Sequence, residues 1–151
     1  MSRFAFNTIA LFTTDNRKVV DFYCNIFGFE TAWRSAHGDA LLAKNGTDID
    51  VEMHLDPSKN AGQTMRILLF PREHIELMTK QRFTYPSGTN GTMELSFDVP
   101  TFADVDKEYA RAVSMGAAPI FPPTTMPWDQ RTSYIADPEG NLIEISSFCE
   151  E

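Results

Sequence analysis

Cysteine is nearly absent from this chain. There are two in 151 residues, Cys24 inside a helical pattern and Cys149 close to the end. That number and spacing exclude a disulfide framework or a zinc knuckle, and two reduced thiols suit a cytosolic protein. Positive charge is scarce as well: thirteen Lys and Arg face twenty-one Asp and Glu, for a formal net charge of −8. A phosphate backbone or an anionic membrane surface would be repelled rather than steered in. Nothing approaches the ~20 consecutive apolar residues of a membrane-spanning helix, and the first residues hold no apolar stretch of signal-peptide length. Nucleophile elbows, phosphate loops and Cys/His clusters are missing too. The expectation is a cytoplasmic protein without nucleic-acid or membrane partners.

What is present is an ordinary globular composition, 42% hydrophobic and 23% charged, sufficient for a sizeable core. Residues 4–13 read as a strand that ends at a helix cap, Thr14-Asp15-Asn16. Over residues 16–27, Val19, Phe22, Tyr23 and Ile26 fall on one helical face, and Gly28 stops the helix. Extended runs follow at residues 29–35, 39–43, 49–55 and 65–70, with turn chemistry at Asn45-Gly46 and over 58–62. That is one run too many for three strands. Our reading takes 49–55 and 65–70 as the third and fourth strands, with 39–43 extending the second. The alternative ends the module at Leu55 and leaves a linker of about 35 residues, long for a compact domain.

Residues 71–81 suit a short helix that buries Ile75 and Met78, and 85–91 a linker. The pattern then repeats. Residues 92–99 form a strand, and Thr101 with Asp104 has capping-box spacing. A helix runs to about Met115 with Phe102, Val105, Tyr109 and Ala112 or Val113 on one face, and Gly116 stops it. Strands follow at 117–121, 131–136 and 142–147, the last two joined by a type I turn, Asp137-Pro138-Glu139-Gly140. An internal repeat of this size implies two modules, 1–70 and 91–151, joined by a linker with a short helix over 71–90.

Several landmarks resemble one family: Asp15 followed by Phe22-Tyr23 and Phe27-Gly28-Phe29, then Asp98, Gly116 and Asp137-Pro138-Glu139-Gly140-Asn141-Leu142-Ile143-Glu144. The chain resembles the glyoxalase/bleomycin-resistance/extradiol-dioxygenase superfamily, also called vicinal oxygen chelate proteins. The resemblance implies an α+β fold of two βαβββ modules forming a U-shaped mixed sheet around a central cavity, and a homodimer. Metal-using members place a His or Glu ligand on the first and last strand of each module. Carried over, those positions are Thr8, Thr92, Glu144 and either Leu68 or Glu52. Neutral hydroxyls are poor donors to a divalent metal. The implied function is therefore a metal-independent small-molecule-binding protein without cofactor, similar to the antibiotic-sequestering branch. The alternative is a metal-dependent enzyme, a lactoylglutathione-lyase-like lyase or isomerase or a dioxygenase-like one. Glu144 would then act as base or ligand, and Glu144, Glu52 and His54 would hold a divalent metal. A third reading is an accessory protein with a degenerate site.

Strand alternation names the cavity wall independently of the family. Thr92, Glu94 and Ser96 would face inward with Met93, Leu95 and Phe97 under the helix. Leu142, Glu144 and Ser146 would face inward above Ile143 and Ile145, and Thr8, Ala10 and Phe12 above Ile9 and Leu11. Desolvation raises the pKa of a buried carboxyl, which would suit Glu144 as a catalytic base. Arg131, on the neighbouring strand, either neutralises such a carboxylate or faces ligand. Trp128, near the cavity mouth, either stacks on a flat ligand or packs on a strand end. Glu52 and His54 share a strand face, either as a two-ligand patch or simply as its solvent side.

Overall fold

The computed structural model describes residue 3 and residues 6–34, 51–56, 58–59 and 65–151. The first helix, α1 (Asn16–Phe27), starts and stops where its cap chemistry dictates. The Asp15 side chain accepts from the Lys18 backbone N–H at 3.1 Å, satisfying one of the donors that a helix start leaves open. Gly28 takes φ 73° and returns its own N–H to the Cys24 carbonyl. The expected face is buried: Val19 and Tyr23 are fully covered, Phe22 and Ile26 nearly so.

That face packs on a four-stranded sheet of β1 (Thr8–Thr13), β2 (Phe29–Arg34), β3 (Val51–Leu55) and β4 (Arg66–Pro71) in the order β1-β4-β3-β2. The β1–β4 pair is parallel and the others antiparallel. Alternate residues of β3 and β4, namely Val51, Met53, Leu55, Ile67 and Leu69, are buried. The run ending at Leu55 is thus third and the run through Leu68 fourth, because only the latter reaches β1. The run expected at 39–43 and the Asn45-Gly46 turn lie outside the described residues. A short helix, α2 (Arg72–Thr79), follows β4 directly. Its expected buried residues need correction: Ile75 is half-buried and Met78 is 67% exposed. Eight residues carry too narrow an apolar stripe, and Leu77 and Met78 fall outside it.

The second module repeats the plan with β5 (Asn90–Asp98), α3 (Phe102–Ser114), β6 (Ala118–Thr125), β7 (Arg131–Ala136) and β8 (Asn141–Ser147), in sheet order β5-β8-β7-β6. Thr101 and Asp104 form the capping box reciprocally, side chain to backbone in both directions. In the β7–β8 turn, Asp137 accepts from the backbone of Glu139 and Asn141 at 2.9 and 3.0 Å, and Gly140 takes φ 85°. The chain divides into two compact units, Met1–Phe83 and Thr84–Glu151, so α2 belongs with the first. Two mixed four-stranded sheets with their helices make this an α+β fold of two βαβββ modules.

Strand β6 runs four residues past its expected end, through Pro119, Pro122 and Pro123. A proline lacks the N–H of a ladder bond and is tolerated on an edge strand. β6 is such an edge, and its pairing with β7 slips twice. β5 also departs from plain alternation. Its register with β8 shifts between Asn90 and Glu94, and Met93, expected under the helix, is 49% exposed in that irregular stretch.

Candidate functional site

Alternation along β8 divides the second sheet into two faces. Ile143 and Ile145 are buried on the side that α3 covers, while Glu144 and Ser146 belong to the opposite side. The ladder then supplies their neighbours. Ser96 of β5 stands beside Glu144 on one flank, Tyr134 of β7 on the other, and Thr132 faces Ser146.

Glu144 is only 8% exposed, and hydroxyls surround its carboxylate. Oε1 accepts from Ser96 Oγ at 2.7 Å and, more weakly, from Ser146 Oγ at 3.4 Å. Oε2 accepts from Thr132 Oγ1 at 2.8 Å and from the Tyr134 hydroxyl at 3.0 Å. Burying a carboxylate is unfavourable without such bonds. Four donors from three strands compensate it here without an ion pair. Glu94, on an exposed part of β5, also engages the Tyr134 hydroxyl. Partial burial, and then the nearby charge of Glu144, raise the Glu94 pKa, against the lowering effect of the Tyr134 bond. Tyr134 itself is pushed up to about 12, first by burial, then by the hydrogen bond and charge of Glu144, and then by Glu94.

The structure therefore brings together Glu144, Glu94 and Ser96 and leaves the other candidates apart. Arg131 needs correction as the neutralising partner of Glu144. It lies on the helix side of β7, where Nε and Nη2 fork onto Asp106 of α3 at 2.7 and 2.6 Å, and Nη1 donates to Thr125 Oγ1. That bond holds the Asp106 carboxyl below its usual range. Thr92 falls in the irregular stretch of β5, where its hydroxyl is bonded to Asn90 Oδ1 at 2.6 Å. Trp128 is 59% exposed, its indole N–H given to Gln130 at 2.8 Å. In the first module Thr8 helps to line an open depression of about 510 Å³ with Phe6, Asn7, Ile9, Met65 and Arg66. Glu52 pairs with Arg66, and His54 stands across the ladder from that same arginine.

These donors do not fit a divalent metal. Thr8 and Thr92 are neutral, Leu68 is aliphatic, Glu52 is engaged by Arg66, and the carboxylate of Glu144 is wrapped by protein hydroxyls. Among the described residues no group of three or more His, Cys, Asp or Glu could hold an ion.

Thr132 and Tyr134 escaped the sequence reading, although a signal for them exists. Asp137–Gly140 closes a tight hairpin, and counting outward from it pairs Ala136 with Leu142 and Tyr134 with Glu144, as the ladder does.

The profile of the Glyoxalase/Bleomycin resistance protein/Dioxygenase superfamily matches residues 5–145. No curated protein matches the chain. Among solved structures, the chain is similar to a glyoxalase/bleomycin resistance protein/dioxygenase from Nocardioides, with 22% identity over 99% of this chain and 87% of that one and a TM-score of 0.73. A glyoxalase-related enzyme from Fulvimarina pelagi shares 18% identity over 95% and 87% of the two chains, TM-score 0.72. A family enzyme from Burkholderia phytofirmans PsJN shares 25% over 94% and 97%, TM-score 0.69.

Proposed function

The chain belongs to the glyoxalase/bleomycin resistance protein/dioxygenase superfamily, and from that premise we propose that it binds a small molecule without a metal, on the face of the second sheet around Glu144. The observation that carries this reading is the hydroxyl cage of Glu144. A carboxylate ligating a metal presents lone pairs to the ion, and metal affinity rests on several preorganised donors. Here the lone pairs of Glu144 point at Ser96, Thr132, Tyr134 and Ser146. The other carried-over positions are Thr8, Thr92 and Leu68, and none supplies a charged donor. Each subunit would act within a cytoplasmic homodimer.

Elemental analysis of protein purified without added metal tests the proposal. We expect well under one equivalent of zinc, nickel, iron or manganese, and excess chelator should leave the melting temperature unchanged. Stoichiometric metal coordinated by Glu144 would transfer the assignment to a metal-dependent lyase, isomerase or dioxygenase-like enzyme. Light scattering on the same preparation should report about twice the 17.1 kDa chain mass. A monomer at every concentration would reject the dimer.

A further inference from the structure

We infer that Asn90 is a site of spontaneous covalent modification, at which the Gly91 backbone nitrogen displaces the side-chain amide and water then leaves aspartate or isoaspartate at the start of β5. Such a step needs a carboxamide within reach of water, a following backbone nitrogen that is not locked in a ladder, and no side chain in its way. Asn90 is half-exposed, and the glycine after it adds no Cβ. The pairing of β5 with β8 supplies the unlocked nitrogen. It passes from Asn90 opposite Asn141 straight to Glu94 opposite Leu142, so Gly91, Thr92 and Met93 hold no rung. Asn90 gives its own N–H to the Gly140 carbonyl at 2.6 Å, which turns the next N–H toward the open side of β5, an edge strand. Gly91 is exposed there, and a Cβ on it would meet nothing within 4 Å.

The carboxamide is also polarised for attack. Its oxygen accepts from the Thr92 N–H at 3.1 Å and from the Thr92 hydroxyl at 2.6 Å. Only an oxygen can accept from that N–H, so the amide orientation is fixed. Two donors on Oδ1 draw electron density from Cγ and stabilise the negative charge that Oδ1 gains, as in an oxyanion hole. The Gly91 nitrogen, having lost its proton to hydroxide, forms a bond to Cγ, and the carbonyl pair moves onto Oδ1. When that pair returns, the Cγ–Nδ2 bond breaks and ammonia leaves with a proton from water, closing a succinimide. Water then opens the ring at Cγ to give aspartate, or at the Asn90 backbone carbonyl to give isoaspartate. The new carboxylate is poorly accommodated. Asn90 Nδ2 points at Asn141 Oδ1, 3.4 Å away, and Asn141 cannot turn its amide because its own Nδ2 is given to the Asp137 carboxylate at 2.9 Å. After conversion, acceptor faces acceptor beside the turn that leads into β8.

Incubation of the full chain in mildly alkaline buffer, followed by mapping of the tryptic peptide of residues 83–107, tests the assignment and separates Asn90 from the other Asn-Gly pair, Asn45-Gly46. Aspartate and isoaspartate should accumulate at Asn90 in the folded protein at least as fast as in the urea-unfolded chain. Gly91→Ala should slow this about tenfold or more. Thr92→Val keeps the N–H and removes the hydroxyl, and should slow it about threefold in the folded state alone. Asn90→Asp should lower the thermal midpoint by about 2–4 °C. Conversion confined to the unfolded chain, or a folded-state rate that Thr92→Val leaves unchanged, overturns the inference. An unchanged midpoint in Asn90→Asp overturns the consequence drawn for β5. If the Thr92 variant misfolds, the folded and unfolded rates of the wild-type chain decide.

Discussion

The two modules share an order of elements and differ in what they place on the sheet face opposite their main helix. In the first, that face carries Ala10 beside Leu68 and Phe12 edge-on to Phe70, with separate ion pairs of Glu52 to Arg66 and Glu30 to Lys59. In the second, the equivalent strands carry Glu94, Ser96, Thr132, Tyr134, Glu144 and Ser146, tied into one network. The last strand of each module makes the contrast plain: the position of Glu144 in β8 corresponds to Leu68 in β4. A repeated scaffold leaves the helix side under a common packing constraint, because both halves must bury an amphipathic helix. The opposite side is free to diverge, and chemistry gathers on one copy.

The sharpest break in the comparison comes at the glycines. Gly28 and Gly140 both have positive φ, but a Cβ on Gly28 would meet nothing within 4 Å, whereas one on Gly140 would collide with the Gly88 carbonyl oxygen. The Gly140 carbonyl also accepts from Asn90 N, which pins the start of β5 against the β7–β8 turn. Gly140→Ala should therefore add overpacking to left-handed strain and destabilise by about 3 kcal/mol or more. Gly28→Ala should cost only the strain, about 1–2 kcal/mol. Urea unfolding of both variants checks this, and equal losses would mean that the Gly88 contact is readily relieved.

A smaller effect separates the two polar clusters. Thr132→Val keeps the shape of the side chain and removes one donor from a buried carboxylate, which should destabilise by about 1–3 kcal/mol. Glu52→Gln, in a pair whose arginine is 41% exposed, should change stability by less than about 1 kcal/mol. If the same unfolding measurement ranked them the other way, the hydroxyl network would not be what compensates the burial of Glu144.

The smallest expected effect is a pH dependence with opposed contributions inside the second module. The folded pKa of Glu94 lies above its ordinary 4.5. Its stabilising contribution is present below that value and lost as pH rises through the raised one. Asp106, lowered from 3.8 by Arg131, contributes above its ordinary value and loses that as pH falls through the lowered one. Glu94→Gln should therefore remove a decline in stability on the upward side of 4.5 and leave the acid limb unchanged. Denaturation midpoints across that range measure it, and a decline that persists in Glu94→Gln would place its origin elsewhere.

Much of this could be read from local chemistry alone. Asp15, Gly28, Thr101 with Asp104, and Asp137–Gly140 set the ends of α1 and α3 and the last hairpin, because caps and turns depend on residues a few positions apart. Two-residue periodicity likewise put Glu94 and Ser96 on one side of β5, and Glu144 and Ser146 on one side of β8. Tertiary pairing decided the rest. Whether β4 or an earlier run lies beside β1 depends on contacts more than fifty residues apart, beyond the reach of any local pattern. The prolines of β6 argue against a strand until the sheet shows that strand to be an edge. The partner of Arg131 could not be read from its neighbours in the chain either. One residue of register sets its side of the sheet, and the packing of α3 then offered it Asp106 while four hydroxyls took Glu144.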